Sequence, residues 1–404
     1  MKRVSDAESL RDRLAGLLQR EGTLRDPEVE RAIRTVPRHV FVPNAPLEVA
    51  YEDRVIRLKD CDGVLVSSLS QPAMIVEMLQ QLEVREGDRI LEIGTGSGYT
   101  TALLAALTGP NGSVVSLDLE ADLVEAATVR FSSLGLSHIR AFARDGALGY
   151  EPDAPYDRIL LTVCVTDIQG AWWEQLQPGG RIVLPLSFNG VQKSIAFQES
   201  EGRLESRSAI DCGFVMLRGS AQHESVQRIK ENPDVYLSAD SRPHIDTDGL
   251  IERLLHQDPL WERVPGDYTP RDFHAGAMLW LALHDERFCR IETGNDAPPH
   301  LPALLLPYGE SRLTIGLCDR DSIALLGFRL DPPRSPALFT AQFGPMNALA
   351  MKLRETLEAW DRAGRPGKRG LDVVATRANS APGREIAAGT VVNREHSTFA
   401  LNLR

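Results

Sequence analysis

Three glycines at alternate positions, Gly94, Gly96 and Gly98, follow the apolar run Ile90-Leu91-Glu92-Ile93 and precede a helix-like apolar segment, 100–107. A short apolar run of this kind reads as a buried parallel strand, and the glycines as a tight turn into a helix start. That arrangement turns backbone N–H groups and the positive end of a helix towards a nucleotide-like ligand. The spacing is G-x-G-x-G rather than G-x-G-x-x-G, and the acid Glu92 stands just before the first glycine. Both details favour S-adenosylmethionine (SAM), whose amino acid end takes backbone and carboxylate contacts, over a dinucleotide with its pyrophosphate. Asp118 closes the next apolar run, 113–118, where a carboxylate can accept both ribose hydroxyls of a nucleoside. Asp145-Gly146 follows a third run, 138–143, within reach of an adenine amino group. Ser70, ahead of Gln71-Pro72, offers a hydroxyl where a helix opens; it can cap that helix or join its amides in holding a carboxylate.

Positioning these groups requires a sheet. Strands at 90–93, 113–118, 138–143, 156–162 and 181–186 alternate with helices, and a hairpin through Glu201-Gly202 closes the series. The pattern predicts an α/β fold, a Rossmann-like doubly wound sheet. Residues 1–36 read as two helices, the second opened by Asp26-Pro27. The stretch 36–43 carries Pro37 and Pro43 and reads as an extended arm rather than a helix.

A chain of 404 residues implies two domains. The expected division is a SAM-binding catalytic domain over 1–220, with N-terminal helices and lid at 1–80, and a C-terminal α+β domain over 221–404. The boundary region 220–246 is polar and contains Pro233 and Pro243. Beyond it, helices are expected at 272–287 and 345–363, the latter amphipathic through Met346, Leu349, Leu353, Leu357 and Trp360. Strands are expected at 303–306, 312–317, 322–330, 371–376 and 398–403. Trp261, Trp280 and Trp360 read as core. The histidines lack ligand-like spacing, and no metal is expected.

Composition narrows the classes. Hydrophobic content of 43% and charged content of 25% describe an ordinary globular protein. A net charge of −11 argues against non-specific nucleic-acid binding. No apolar run approaches the roughly 20 residues that cross a bilayer, and the charged N-terminus does not read as a signal peptide. Five scattered cysteines without a C-x-x-C fit reduced thiols and a cytoplasmic location.

Taken together, Val36-Pro37-Arg38, Phe41-Val42-Pro43, Ala50-Tyr51-Glu52-Asp53, Ser68-Leu69-Ser70-Gln71-Pro72, Glu92 to Tyr99, Asp145-Gly146, Tyr156-Asp157 and Pro178 to Pro185 resemble the protein L-isoaspartyl O-methyltransferase family. They occur in the family's order over roughly residues 25–217. The resemblance implies SAM as cofactor and S-adenosyl-L-homocysteine as product. It implies a cofactor set of Glu92, Gly94, Thr95, Gly96, Ser97, Gly98, Tyr99, Asp118, Leu119, Asp145, Gly146, Thr162 and Gln71. Ser70, with Ser68, falls in the catalytic motif, and Val42, Tyr51, Asp53, Ser70, Val163 and Cys164 fall on the substrate side. Two departures stand out. Thr162-Val163-Cys164-Val165-Thr166-Asp167 replaces the His-Val-Gly-Ala-like stretch usual in the repair enzymes, and the chain runs on to residue 404 where those enzymes end near the hairpin. The extended layout resembles the methyltransferases encoded with ribosomally made, modified peptides (lanthipeptides, lasso peptides, graspetides), which methylate an aspartate that then closes to an aspartimide.

The expected partner is therefore a precursor peptide, with the C-terminal domain as its recognition module. An aspartate has a pKa near ~3.9 and arrives already ionised, so no general base is required. Other readings are isoaspartate repair, methylation of a peptide C-terminal carboxylate, and a peptide-binding adaptor on an inherited SAM fold.

Overall fold

The computed structural model describes residues 2–61, 64–222, 226–228, 235–239, 246–294, 297–304, 312–331, 335–345, 348–367, 370–378 and 389–404. The chain forms two units. The first comprises Met1–Leu186, Gln192–His223 and Asp372–Leu401; the second comprises Ser187–Val191, Glu224–Leu371 and Asn402–Arg404.

In the first unit, α1 (Lys2–Arg20) and α2 (Pro27–Thr35) lead in. Asp26 caps α2 by accepting the N–H groups of Glu28 and Val29, as the Asp-Pro pair suggests. The proline-flanked arm is not extended throughout: Arg38–Phe41 forms a 3-10 turn, and α3 (Leu47–Ala50) follows. Pro37 precedes the turn and Pro43 lies beyond it, so neither removes a hydrogen bond from it. An antiparallel hairpin absent from the sequence reading, β1 (Ile56–Cys61) and β2 (Val64–Leu69), then leads to α4 (Pro72–Leu82).

The sheet core comprises β3 (Arg89–Ile93), β4 (Ser113–Asp118), β5 (Ile139–Ala143), β6 (Tyr156–Leu161) and β7 (Leu176–Phe188), with α5 (Tyr99–Thr108), α6 (Ala121–Ser133) and α7 (Gly170–Gln175) between them. β3 pairs in parallel with both β4 and β6, β4 with β5, and β6 with β7. The strand direction of travel therefore reverses between β3 and β6, the switch point at which open α/β sheets bind ligands. β8 (Val191–Ser200) and β9 (Arg203–Asp211) form the closing hairpin. α5 is buried on almost every side, so its apolar residues need no amphipathic stripe.

The second unit carries an antiparallel sheet ordered β10 (Val226–Arg228), β11 (Val235–Ala239), β13 (Phe288–Thr293), β14 (Arg312–Cys318), β15 (Ile323–Asp331), β16 (Ser335–Phe343) and β12 (Leu260–Arg263). With it come α8 (Thr247–His256), α9 (Pro270–Asp272), α10 (Met278–His284) and α11 (Leu349–Arg362). The single helix expected at 272–287 is broken by a π-turn at Phe273–Ala277, where Gly276 has φ 138° and would, with a Cβ, meet the Pro366 carbonyl at 2.3 Å. Trp360 is fully buried, as expected of core; Trp261 is half-buried beneath the Arg329 guanidinium, 4.3 Å from its ring centre. Residues 303–304 form no strand, and 305–306, like Met346, lie outside the described residues.

The expected second domain does not run unbroken to residue 404. β17 (Leu371–Arg377), β18 (Thr390–Asn393) and β19 (Ser397–Leu403) join the first unit's sheet in the order β18-β19-β17-β9. Val374 and Ala375 of β17 pair with Glu205 and Leu204 of β9. Strand partners separated this far leave no local signature, which is why a composition-based boundary misassigns them.

Candidate active site

The glycine turn lies at the switch point. Thr162, just past β6, donates its N–H to the Ile93 carbonyl at 3.0 Å and its hydroxyl to the Gly94 carbonyl at 2.8 Å. A Cβ at Gly94 (φ 104°) would stand 2.4 Å from the Thr162 hydroxyl, and one at Gly98 (φ 89°) would stand 2.7 Å from the Phe131 ring. Both positions demand glycine for space and for backbone angle. Arg130 of α6 secures the turn by donating to the Ser97 carbonyl at 3.1 Å.

Glu92 lies beneath the turn rather than in it. It is fully buried, and one carboxylate oxygen accepts the hydroxyls of Thr101 and of Ser116, the latter at 2.6 Å. Ser116 in turn shares a 2.6 Å hydrogen bond with the Thr95 hydroxyl. Burial pushes Glu92 up to about 7, against the two hydroxyl contacts that favour its charge. Its other oxygen, Oε1, has no hydrogen-bond partner among the described residues.

Asp118 ends β4 and faces the turn. Its oxygens accept the Gly96 N–H at 2.8 Å and the Glu120 N–H at 3.0 Å. Burial raises its pKa despite those bonds. A carboxylate has about four lone-pair sites, so capacity for a diol remains. Leu119 beside it is an exposed apolar side chain, 39% accessible. Asp145 accepts the Ala147 N–H at 2.9 Å and the Ser220 N–H at 2.7 Å. Its partial burial would raise the carboxyl, but these amides and the Ser220 hydroxyl outweigh it and hold the pKa below its ordinary value.

Residues 215–220 form a strap across the strand ends. Cys164 bonds Val215 and Leu217 through its backbone, Arg218 reaches Glu120 at 2.7 Å, and Ser220 reaches Asp145. Lys59 of β1 binds the same Glu120, and also Asp122 at 2.7 Å. The lid hairpin and the strap thus meet on one acid two residues beyond Asp118. Nothing in the sequence pattern marks Lys59 or Arg218; Glu120 alone carried a signal, its nearness to Asp118.

On the substrate side, Ser70 is half-buried, and its hydroxyl makes no hydrogen bond among the described residues. It does not cap α4. Asp53 does so instead, accepting the Ala73 N–H at 2.8 Å and the Gln71 amide at 2.7 Å. Asp53 and Gln71 therefore set the approach to the helix, and the Ser70 hydroxyl remains available. The sequence reading also placed Val42, Tyr51 and Cys164 on the substrate side, but their side chains are 4%, 6% and 0% exposed. Val163 and Ser68 stay partly exposed near Gly94 and Gly96, where the Gly96 Cβ position lies 3.8 Å from the Ser68 carbonyl.

The loop that departs from the repair pattern is held by the returning strands. Asp167 is buried and accepts the His396 N–H at 2.7 Å and the Ile168 N–H at 2.8 Å. Trp173 donates to the Ser397 hydroxyl at 3.2 Å.

A glycine cradle that excludes side chains, an acid at the end of the second parallel strand and an unpartnered buried carboxylate oxygen below them fit SAM. They define a Rossmann-like SAM-dependent methyltransferase. The family described as Protein-L-isoaspartate(D-aspartate) O-methyltransferase (PCMT) matches residues 9–222, and the chain belongs to it. It is 37% identical over 223 residues to Protein-L-isoaspartate O-methyltransferase 2 of Archaeoglobus fulgidus, covering 55% of this chain and 99% of that one. It is 38% identical over 194 residues to the Protein-L-isoaspartate O-methyltransferase of Methanoculleus marisnigri, covering 48% and 84%. A solved protein-L-isoaspartate O-methyltransferase superposes on 90% of this chain and 96% of its own with a TM-score of 0.51 at 20% identity, so the fold beyond residue 222 also has a counterpart. The chain is a SAM-dependent carboxyl O-methyltransferase.

Proposed function

We propose that this enzyme methylates the side-chain carboxylate of an aspartate in a ribosomally made, modified peptide, the ester then closing to an aspartimide or opening to isoaspartate. One observation supports this reading above others: the loop that departs from the repair pattern, 162–167, is tied through Asp167 to His396 in the turn between β18 and β19. The loop on the substrate side is thereby held by a segment that lies beyond the hairpin where the repair pattern ends. Recognition of the peptide is assigned to the second unit.

Gly94, Gly96, Gly98, Asp118 and Asp145 are proposed to hold the cofactor, with Leu119 and Gly146 beside its base. When bound, SAM supplies an electrophilic methyl group, which leaves sulfur without its bonding pair and bonds to a carboxylate oxygen. No proton moves, so the transfer requires no base at Ser70. The Ser70 hydroxyl donates one hydrogen bond to the incoming carboxylate and orients it. A stronger clamp would stabilise the anion more than the transition state, in which its charge is disappearing.

Repair of isoaspartate is the second reading, and the names of the relatives favour it. The fold of a solved protein of that name spans both units, so length alone does not separate the two readings. Incubation with an isoaspartyl peptide and, separately, with the modified precursor peptide decides. A gain of about 14 Da marks the ester and a loss of about 18 Da the imide. Reaction of the isoaspartyl peptide alone would overturn the leading reading.

A further inference from the structure

Arg38 comes from the Val36-Pro37-Arg38 stretch, which the cofactor turn does not explain. Its side chain is fully buried. Nε donates to the Ala50 carbonyl at 3.0 Å, and Nη2 donates to the Ser70 carbonyl at 2.9 Å. The guanidinium lies over the Tyr99 ring, 5.0 Å from its centre, and Tyr99 is the residue after Gly98. Nη1 has no hydrogen-bond partner among the described residues.

The charge is not neutralised locally. Asp53 is the acid that acts on it, and both Asp53 oxygens are engaged by Gln71 and Ala73. The other groups facing the cluster are Arg11, His39, Tyr51 and Tyr99. Arg11 has an unpartnered Nε of its own among the described residues. Burial keeps Tyr99 protonated by pushing it up to about 12, raises Tyr51 and lowers His39, so none of the three contributes a charge at neutral pH. Arg38 thus makes no ion pair among the described residues, and Asp53, which keeps its charge while accepting two neutral amides, acts on it only from a distance. Burying an unpaired cation is unfavourable, and burial pulls Arg38 down to about 10. Such a group is worth its destabilisation when an anion arrives nearby.

We propose that Arg38 is a positioning residue for the methyl acceptor: it fixes the Ser70 backbone against the Tyr99 end of the cofactor turn, and its unpaired buried charge draws the substrate carboxylate to Ser70. The inference rests on the acceptor reading of Ser70 given above. The charge acts from one residue away, through the Ser70 carbonyl. It therefore attracts the anion across a medium of low effective dielectric without clamping the oxygen that must react.

The test compares wild type, Arg38→Met and Arg38→Lys. It measures KM and kcat with the methylated peptide, inhibition by the same peptide bearing a carboxamide in place of the carboxylate, and affinity for S-adenosylhomocysteine. Arg38→Met is expected to raise the carboxylate peptide's KM about tenfold or more. Carboxamide inhibition should change by less than about threefold because that peptide lacks the carboxylate charge, and S-adenosylhomocysteine affinity by less than about threefold because its α-carboxylate is offset by its own ammonium. Equal weakening of both peptides, or an unchanged KM, would overturn the inference. Should Arg38→Met not fold, Arg38→Lys carries the test. A buried lysine titrates below its ordinary value, so the KM of this variant should climb above about pH 8 while the wild type's does not. A flat pH profile for Arg38→Lys would overturn the inference as well. An active wild type with charge-blind variants defeats this inference alone. A wild type that binds S-adenosylhomocysteine and turns over neither candidate peptide defeats the acceptor reading with it.

Discussion

Asp167 accepts the backbone N–H of His396 at 2.7 Å, joining the loop after the fourth parallel strand to the turn between β18 and β19 at the far end of the chain. Both Asp167 oxygens are committed, the second to the Ile168 N–H, and the residue is buried. Asp167→Ala leaves two N–H groups unsatisfied and should cost about 2–4 kcal/mol of stability. It should also raise the peptide KM more than it weakens S-adenosylhomocysteine. Urea denaturation and steady-state kinetics check both; an unchanged KM in a destabilised enzyme would detach the returning strands from the substrate loop.

Glu92 gives a pH signature. Burial pushes its folded-state pKa up to about 7, from an ordinary 4.5. A carboxyl raised in this way stays protonated in the folded chain after the unfolded chain has lost its proton. Its contribution to stability is therefore complete below pH 4.5 and declines until pH 7, by roughly 3 kcal/mol. Glu92→Gln should flatten the stability profile between pH 5 and 7, read from denaturation midpoints; an identical slope in the variant would place the titration elsewhere.

Gly94→Ala places a methyl group 2.4 Å from the Thr162 hydroxyl at φ 104°. Strain of about 1–3 kcal/mol at the turn follows. S-adenosylhomocysteine binding, measured by calorimetry, should fall at least tenfold. Undiminished affinity would mean that the turn is not the cofactor cradle.

Asp118→Ala and Ser70→Ala should separate the two ligands. The first removes charged hydrogen bonds and should weaken S-adenosylhomocysteine by about 1–3 kcal/mol. The second should leave that affinity intact and lower kcat/KM for the peptide. Parallel losses in both variants would show that Ser70 serves the cofactor and not the acceptor.

The second unit cannot be tested by truncation. Cutting the chain after residue 220 removes β17, β18 and β19 from the catalytic sheet along with it. Substitutions within 247–363 that leave S-adenosylhomocysteine binding unchanged and raise the peptide KM would support the recognition role; a surface scan with no effect on KM would end it.

The legible part of this protein is local. Ile90 to Ile93 reads as a buried strand because a parallel strand is covered on both faces and needs no alternation. Gly94, Gly96 and Gly98 read as a turn because glycines at alternate positions interrupt a strand, and Asp26-Pro27 reads as a helix start because cap and ring act within three positions. Asp118 and Asp145 read as strand-end acids for the same reason: each lies next to the apolar run that carries it.

What the tertiary structure alone decided are pairings over long separation. Asp53, not Ser70, caps α4; Lys59 and Arg218 meet on Glu120; Arg38 reaches Ser70; Val42 and Cys164 turn inward. The strands beyond residue 370 abandon the unit that precedes them and return to the first sheet. Backbone propensity and hydrophobic period act over a few residues, whereas a hydrogen bond between Asp167 and His396 depends on where two distant segments are brought together. Local chemistry therefore named the cofactor turn, and packing chose which of the surrounding polar groups would be spent on structure and which left free to act.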